Sequence, residues 1–184
     1  TQVDVLGAGF ADYDVHCRFG GSALVRATLV SGSVLRCVTP ARADAAAAAL
    51  EVTLNGDDAA HSFTSDGVVF SFFNASEALI ASVAPLGGPT EGGTLVTLTG
   101  SNFVDHGGIF CRFGGLASAV VAATRLSDTR LTCESPAAAL AGSVALGLTL
   151  NSDRSAFVMS TSNFSYYGAG TVHVSLVTPI AGPD

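Results

Sequence analysis

The chain has 184 residues, 48% of them hydrophobic and only 12% charged, with a net charge of −7 and a basic complement that is entirely arginine. A chain of this kind has no polybasic face to neutralise phosphates, which argues against nucleic-acid binding. No apolar run approaches the roughly 18–20 residues needed to cross a bilayer, so no direct membrane insertion is expected of this segment.

The opening stretch, TQVDVLGAGF (1–10), has no charged region followed by an apolar one. Any signal peptide is therefore expected to have been removed or to lie outside this stretch. Both ends read as cut from something longer. Val3 and Val5 alternate with polar neighbours at period two, the mark of a half-buried strand. CRFGG follows at 17–21, then LRCVTP at 35–40. Ala43–Leu50 is helix-like in composition. Leu50, Val52 and Leu54 alternate again through EVTLNGD (51–57), and Phe70 and Phe72 close this series in FSFFNAS (70–76).

The same phrases then return in the same order. TLVTLTGSNF (94–103) lies over the opening stretch, CRFGG recurs at 111–115, and LTCESP (131–136) lies over LRCVTP. GLTLNSD (147–153), FSYYGAG (164–170) and VTPIAGPD (177–184, over VAPLGGPT at 83–90) complete the series, with the offset drifting only between 93 and 96. Six collinear matches define a tandem repeat of about 94 residues. Short alternating runs bounded by GG, SG, NG, GP and SD point to β-sandwiches, not βαβ units. PAAALAGS (136–143), the counterpart of the alanine-rich stretch, sits between two strands. Both stretches are therefore expected to be ornate loops with one helical turn.

Candidate chemistry is sparse. His16, His61, His106 and His173 fall at unrelated positions of the repeat and read as surface histidines. Asp12 and Asp14, with Asp57 and Asp58, could bind calcium, but no D-x-D-x-D-G loop appears and solvated loop charges fit better. GAGFADYD contains no complete G-x-G-x-x-G and no helix pattern follows it. Four cysteines allow three disulfide pairings. A metal site would need C-x-x-C spacing or nearby histidines. A Cys17 nucleophile would need His16, which points to the opposite face of a strand. No catalytic residue, metal site or cofactor is expected, and the protein is read as non-enzymatic. Two sequons, Asn74-Ala75-Ser76 and Asn163-Phe164-Ser165, are candidate N-glycosylation sites. If Phe164 and Tyr166 face the core, Asn163 faces solvent.

Residues 80–167 carry a pattern that resembles the IPT/TIG domain, an immunoglobulin-like module of plexins and other surface proteins. The pattern runs through Ile80, Ser82, Val83, Pro85, Gly88, Pro89, Gly92, Gly93, Thr94, Gly100, Asn102 and Phe103. It continues through Cys111, Phe113, Gly114, Cys133, Pro136, Phe164 and Tyr166. The first copy departs from it only in lacking the opening "S-V-x-P-x-x-G-P" strand. The resemblance implies an all-β fold of two tandem immunoglobulin-like sandwiches. The first spans 1–76 without its opening strand, and the second spans 77–170 and is complete. Residues 171–184 would be the opening strand of a following domain or a strand donated to a neighbouring subunit.

The repeat gives each copy one cysteine pair, Cys17–Cys37 and Cys111–Cys133, and the resemblance supports the same pairing as disulfides. Such bridges imply an oxidising, extracellular or cell-surface location. DNA-contacting members of the family need an arginine-rich loop, which the acidic charge and paired cysteines argue against here. The expected role is a structural module of an extracellular fibre, filament or stalk. Its partners would be further copies or adjacent IPT/TIG domains, joined head to tail covalently (the preferred form) or by strand donation through Val174, Leu176, Val177 and Pro179. The alternative is a spacer or ligand-binding segment of a receptor or adhesin ectodomain.

Overall fold

Period-two alternation of apolar and polar side chains becomes, almost throughout, paired antiparallel strand. The structure, a computed structural model, describes residues 1–42, 45–59, 62–115, 119–153, 156–171 and 173–182. It divides into two units, Thr1–Ala75 and Ser76–Asp184, each with its own core.

Among the described residues the first unit holds seven strands: β1 (Gln2–Leu6), β2 (His16–Phe19), β3 (Val25–Arg26), β4 (Thr28–Ser31), β5 (Val34–Val38), β6 (Ala47–Thr53) and β7 (Val69–Ser71). They form one sheet of order β1-β5-β4 and another of order β3-β2-β6-β7. Phe19, Val15, Leu35 and the two cysteines are buried between them, with Phe70 and Phe72 packed edge-on against Phe19.

The second unit opens with β8 (Leu79–Ala84) and β9 (Gly87–Pro89), followed by β10 (Leu95–Ser101), β11 (Phe110–Phe113), β12 (Val120–Ala122), β13 (Thr124–Arg125), β14 (Arg130–Glu134), β15 (Gly142–Thr149) and β16 (Val158–Tyr167). Its sheets have the orders β13-β14-β10-β8 and β12-β11-β15-β16-β9. Strand for strand, β10 to β16 reproduce β1 to β7. The register is kept as well: Val3 lies opposite Cys37 as Val96 lies opposite Cys133.

The glycines of CRFGG make the turn after the strand in each copy. Gly20 and Gly114 have φ of 62° and 107°, a region open to glycine at little cost. Each donates its amide to the facing strand, Gly20 to the Ala49 carbonyl and Gly114 to that of Ala145, both at 2.7 Å.

Two expectations are corrected. The alanine-rich stretch is not a loop with a helical turn, because Ala47–Leu50 begins β6 and pairs with β7 (Ala48 opposite Phe70). Pairing against a phenylalanine strand outweighs alanine's weak preference for β structure. Its counterpart is irregular through Ala141 before β15 begins; Ala43 lies outside the described residues. Second, the opening segment of the complete sandwich is two strands: β8 runs antiparallel to β10, whereas β9 crosses to the other sheet and runs parallel to β16.

Residues 173–182 form no strand within this chain, and Val174, Leu176, Val177 and Pro179 are exposed with no sheet partner among the described residues. A single extended segment leaves its backbone groups to water and gains no ladder. Residues 172, 183 and 184 of this segment lie outside the described residues. No helix among the described residues is long and apolar enough to cross a membrane.

Candidate functional site

Two features recur in both units, and one differs between them. The first recurring feature is the disulfide. Cys17 in β2 is bonded to Cys37 in β5, and Cys111 in β11 to Cys133 in β14, with Cα–Cα distances of 6.4 and 6.5 Å. Each bond joins the two sheets of its unit through the middle of the core, and all four cysteines are buried.

The second was not read from the sequence. The arginine of CRFGG lies over an aromatic ring in each copy, Arg18 at 3.5 Å from the Phe63 ring centre and Arg112 at 4.0 Å from that of Phe157. At these distances the cation is attracted to the ring face. Arg18 is further held by Glu51 at 2.8 Å and Asp58 at 3.2 Å. The signal was available, since both arginine–phenylalanine pairs recur at an offset of 94.

The differing feature is an edge. In the second unit β10 is flanked by β14 and β8. In the first unit β1 pairs only with β5, and no described strand occupies its other side. The core beside that edge is correspondingly open. Leu98, Phe103, Phe164 and Tyr166 are buried, whereas their counterparts Val5, Phe10, Phe70 and Phe72 are only partly so.

The remaining candidates are scattered. Asn74 and Asn163 are exposed; Phe164 and Tyr166 face inward while Asn163 and Ser165 face out. Asp14 pairs with Arg26 at 3.1 Å, and Asp57 accepts the Ala59 amide and the Ser62 hydroxyl. Two of the histidines are only partly exposed. His16 is half-buried with Nδ1 2.8 Å from the Asp14 carbonyl oxygen, and His106 is half-buried in the loop after β10. His173 is exposed and His61 lies outside the described residues. An open cleft of about 430 Å³ beside β14 is lined by Leu95, Val121, Thr132 and Pro136, with the carboxylate of Glu134 among the described lining residues.

Asp105 accepts the amides of Gly108 at 2.6 Å and Gly107 at 2.9 Å. These bonds, Gly108's first, hold its carboxyl below the usual value. A carboxyl so depressed contributes stability above its unfolded pKa, near about 3.9, and loses it as pH falls through the lower folded value. The urea midpoint of the second unit is therefore expected to fall on acidification below about pH 4, and less steeply in Asp105→Asn. Equal slopes would dismiss the Asp105 contribution. The Tyr166 hydroxyl donates to the Pro136 carbonyl at 2.9 Å, a bond that Phe72 cannot make in the first unit. Tyr166→Phe is expected to cost the second unit about 1 kcal/mol by equilibrium unfolding.

Two-sheet sandwiches with an inter-sheet disulfide and an aromatic closing strand define a pair of immunoglobulin-like domains. The IPT/TIG domain model matches residues 1–72 and again 78–166. The chain belongs to the IPT/TIG family. Among solved structures it is similar to the full extracellular region of plexin A4, domains 1 to 10, with 20% identity and a TM-score of 0.64 over 92% of this chain and 15% of that one. A second structure of that extracellular region gives 18% identity and a TM-score of 0.53 over 91% of this chain and 16% of that one. The chain thus spans about one-sixth of the plexin chains it resembles. No curated protein sequence matches it.

Proposed function

We propose that this chain is a non-catalytic segment of an extracellular protein, serving as a spacer within a receptor-like ectodomain. The observation that carries this reading is the tandem pair of IPT/TIG domains, each with a disulfide through its core. Modules of this kind set distance and resist unfolding, and need no convergent reactive groups to do so. Disulfides persist where the surroundings are oxidising, which favours the cell surface or beyond. The exposed Asn74 and Asn163 are available there to carry glycans.

An antibody raised against the folded chain tests this on source cells. Labelling of intact cells supports the reading, and labelling only after permeabilisation overturns it.

A second reading, a subunit of an extracellular fibre, is favoured by the tandem repetition of the domain. Label running along free fibres, and not over the cell surface, would select it.

A further inference from the structure

We propose that Arg112 and the side chains in line with it form a docking surface for an acidic segment of another protein, whose carboxylate pairs with the open end of the guanidinium. The inference goes beyond the spacer reading and does not depend on it.

The two copies treat the same arginine differently. In the first unit Arg18 lies opposite Glu51 in β6, which accepts from Nε and Nη2, while Asp58 accepts from Nη1 at 3.2 Å. In the second unit the residue opposite Arg112 is Gly147, which has no side chain to offer. Nη2 meets the Met159 sulfur at 3.4 Å, Nε is buried without an acceptor, and Nη1 is left to water. Among the described residues no carboxylate pairs with Arg112. The sequence agrees, since NGDD (55–58) becomes NSDR (151–154) and Asp58 gives way to Arg154, which lies outside the described residues. A guanidinium keeps its charge at every accessible pH, and half-covering it without an anion forfeits the contact that best offsets its lost hydration.

The surroundings of Arg112 suit a peptide. Val120, Arg112, Gly147 and Met159 lie in one row across β12, β11, β15 and β16. Side chains in this row point away from the core, because the alternate residues Cys111, Phe113, Leu146 and Leu148 are buried. A Cβ on Gly147 would meet the Met159 sulfur at 2.9 Å and the Phe157 Cβ at 3.1 Å, so the glycine is what lets both close over the arginine. The Phe157 ring, 4.0 Å from the guanidinium, holds the cation in place before any partner arrives. Met159 is 44% exposed, and its flexible thioether adapts to whatever packs on it.

Charge identifies the occupant. The row offers one fixed cation between two apolar side chains, Val120 and Met159, and its complement is one carboxylate flanked by aliphatic or aromatic groups. Nη1 would receive that carboxylate as Arg18 receives Asp58, by a charge-assisted hydrogen bond. A free small acid would leave the apolar flanks wet, and a polyanion would need a line of cations where this row is apolar. A protein segment satisfies both parts.

Short random peptides displayed on phage and selected on the folded full chain test this. Recovered peptides are expected to share an aspartate or glutamate beside an aliphatic or aromatic residue. Their affinity is expected to fall roughly tenfold or more in Arg112→Gln, the scale of a lost charge-assisted bond, and to stay unchanged in Arg18→Gln. Since Arg112→Gln also removes the contact with Phe157, Met159→Glu is measured beside it. That variant keeps the arginine but gives it a carboxylate of its own, and binding is expected to fall by a similar factor. Recovery of no peptide, or of peptides without an acid, overturns the proposal. So do binding that is insensitive to Arg112→Gln, an equal loss in Arg18→Gln, or full binding by Met159→Glu. Self-association of the chain that Arg112→Gln abolishes would also overturn it, by making the occupant a second copy. Surface labelling of cells is read separately, so the spacer reading and this one can fail independently.

Discussion

Phe164→Ala is expected to destabilise the second unit by about 4 kcal/mol, within the range for deleting a buried aromatic. Phe164 is fully buried and stands edge-on to Phe113 at 5.2 Å and to Tyr166 at 5.0 Å. Its removal leaves a cavity between rings carried by β11 and β16 of one sheet, which cannot collapse without breaking those contacts. The same substitution at its repeat counterpart, Phe70→Ala, is expected to cost roughly half as much. Phe70 packs on Phe19 and Phe72 but is already partly in contact with water. The transfer term shrinks with exposed area, and the cavity term shrinks where water can fill the gap. Hydrogen exchange read by mass spectrometry on the intact chain reports the two units separately. Equal losses would mean that the flank beside β1 is as well sealed as its counterpart.

Removing the second bridge with Cys111→Ala and Cys133→Ala together is expected to lower the stability of that unit by about 3 kcal/mol. The cysteines are 22 residues apart, so the bond removes loop-closure freedom from the unfolded chain. Both side chains are buried, and alanine in their place leaves little polar disturbance. With a urea dependence of about 1–3 kcal/mol per molar for a small domain, the midpoint should move down by roughly 1–3 M. A change under about 0.5 M would show that the unfolded chain is already confined without the bond.

Much of this architecture was legible because the chain states it twice. The alternation at Val3–Val5 and Val96–Leu98 marks β1 and β10, and the family follows from residues spread along the whole second unit. What the sequence obscured was decided by partners in space. Alanine carries no strong preference for a strand, and Ala47–Leu50 became one because β2 and β7 flank it. The crossing of β9 to the other sheet is set by Gly87, whose place against the Ser165 carbonyl leaves no room for a Cβ. Residues 173–182 show the reverse case. Val174 and Val177 have strand-forming character, but character without a neighbour does not make a strand. The half-open state of Phe10, Phe70 and Phe72 was not legible, since burial depends on what lies opposite.

The route of each disulfide through the middle of its unit also fixes how far the chain can lengthen under load. When a unit is pulled apart from its ends, the residues between its bonded cysteines are bypassed, because force runs through the sulfur bridge. The 22-residue span from Cys111 to Cys133 would otherwise add roughly 70 Å of extended chain. In an oxidised chain under tension that length stays stored, and the β12–β13 segment within it bears no force. A reducing environment would release it, turning a short, stiff tether into a longer one without any change of sequence.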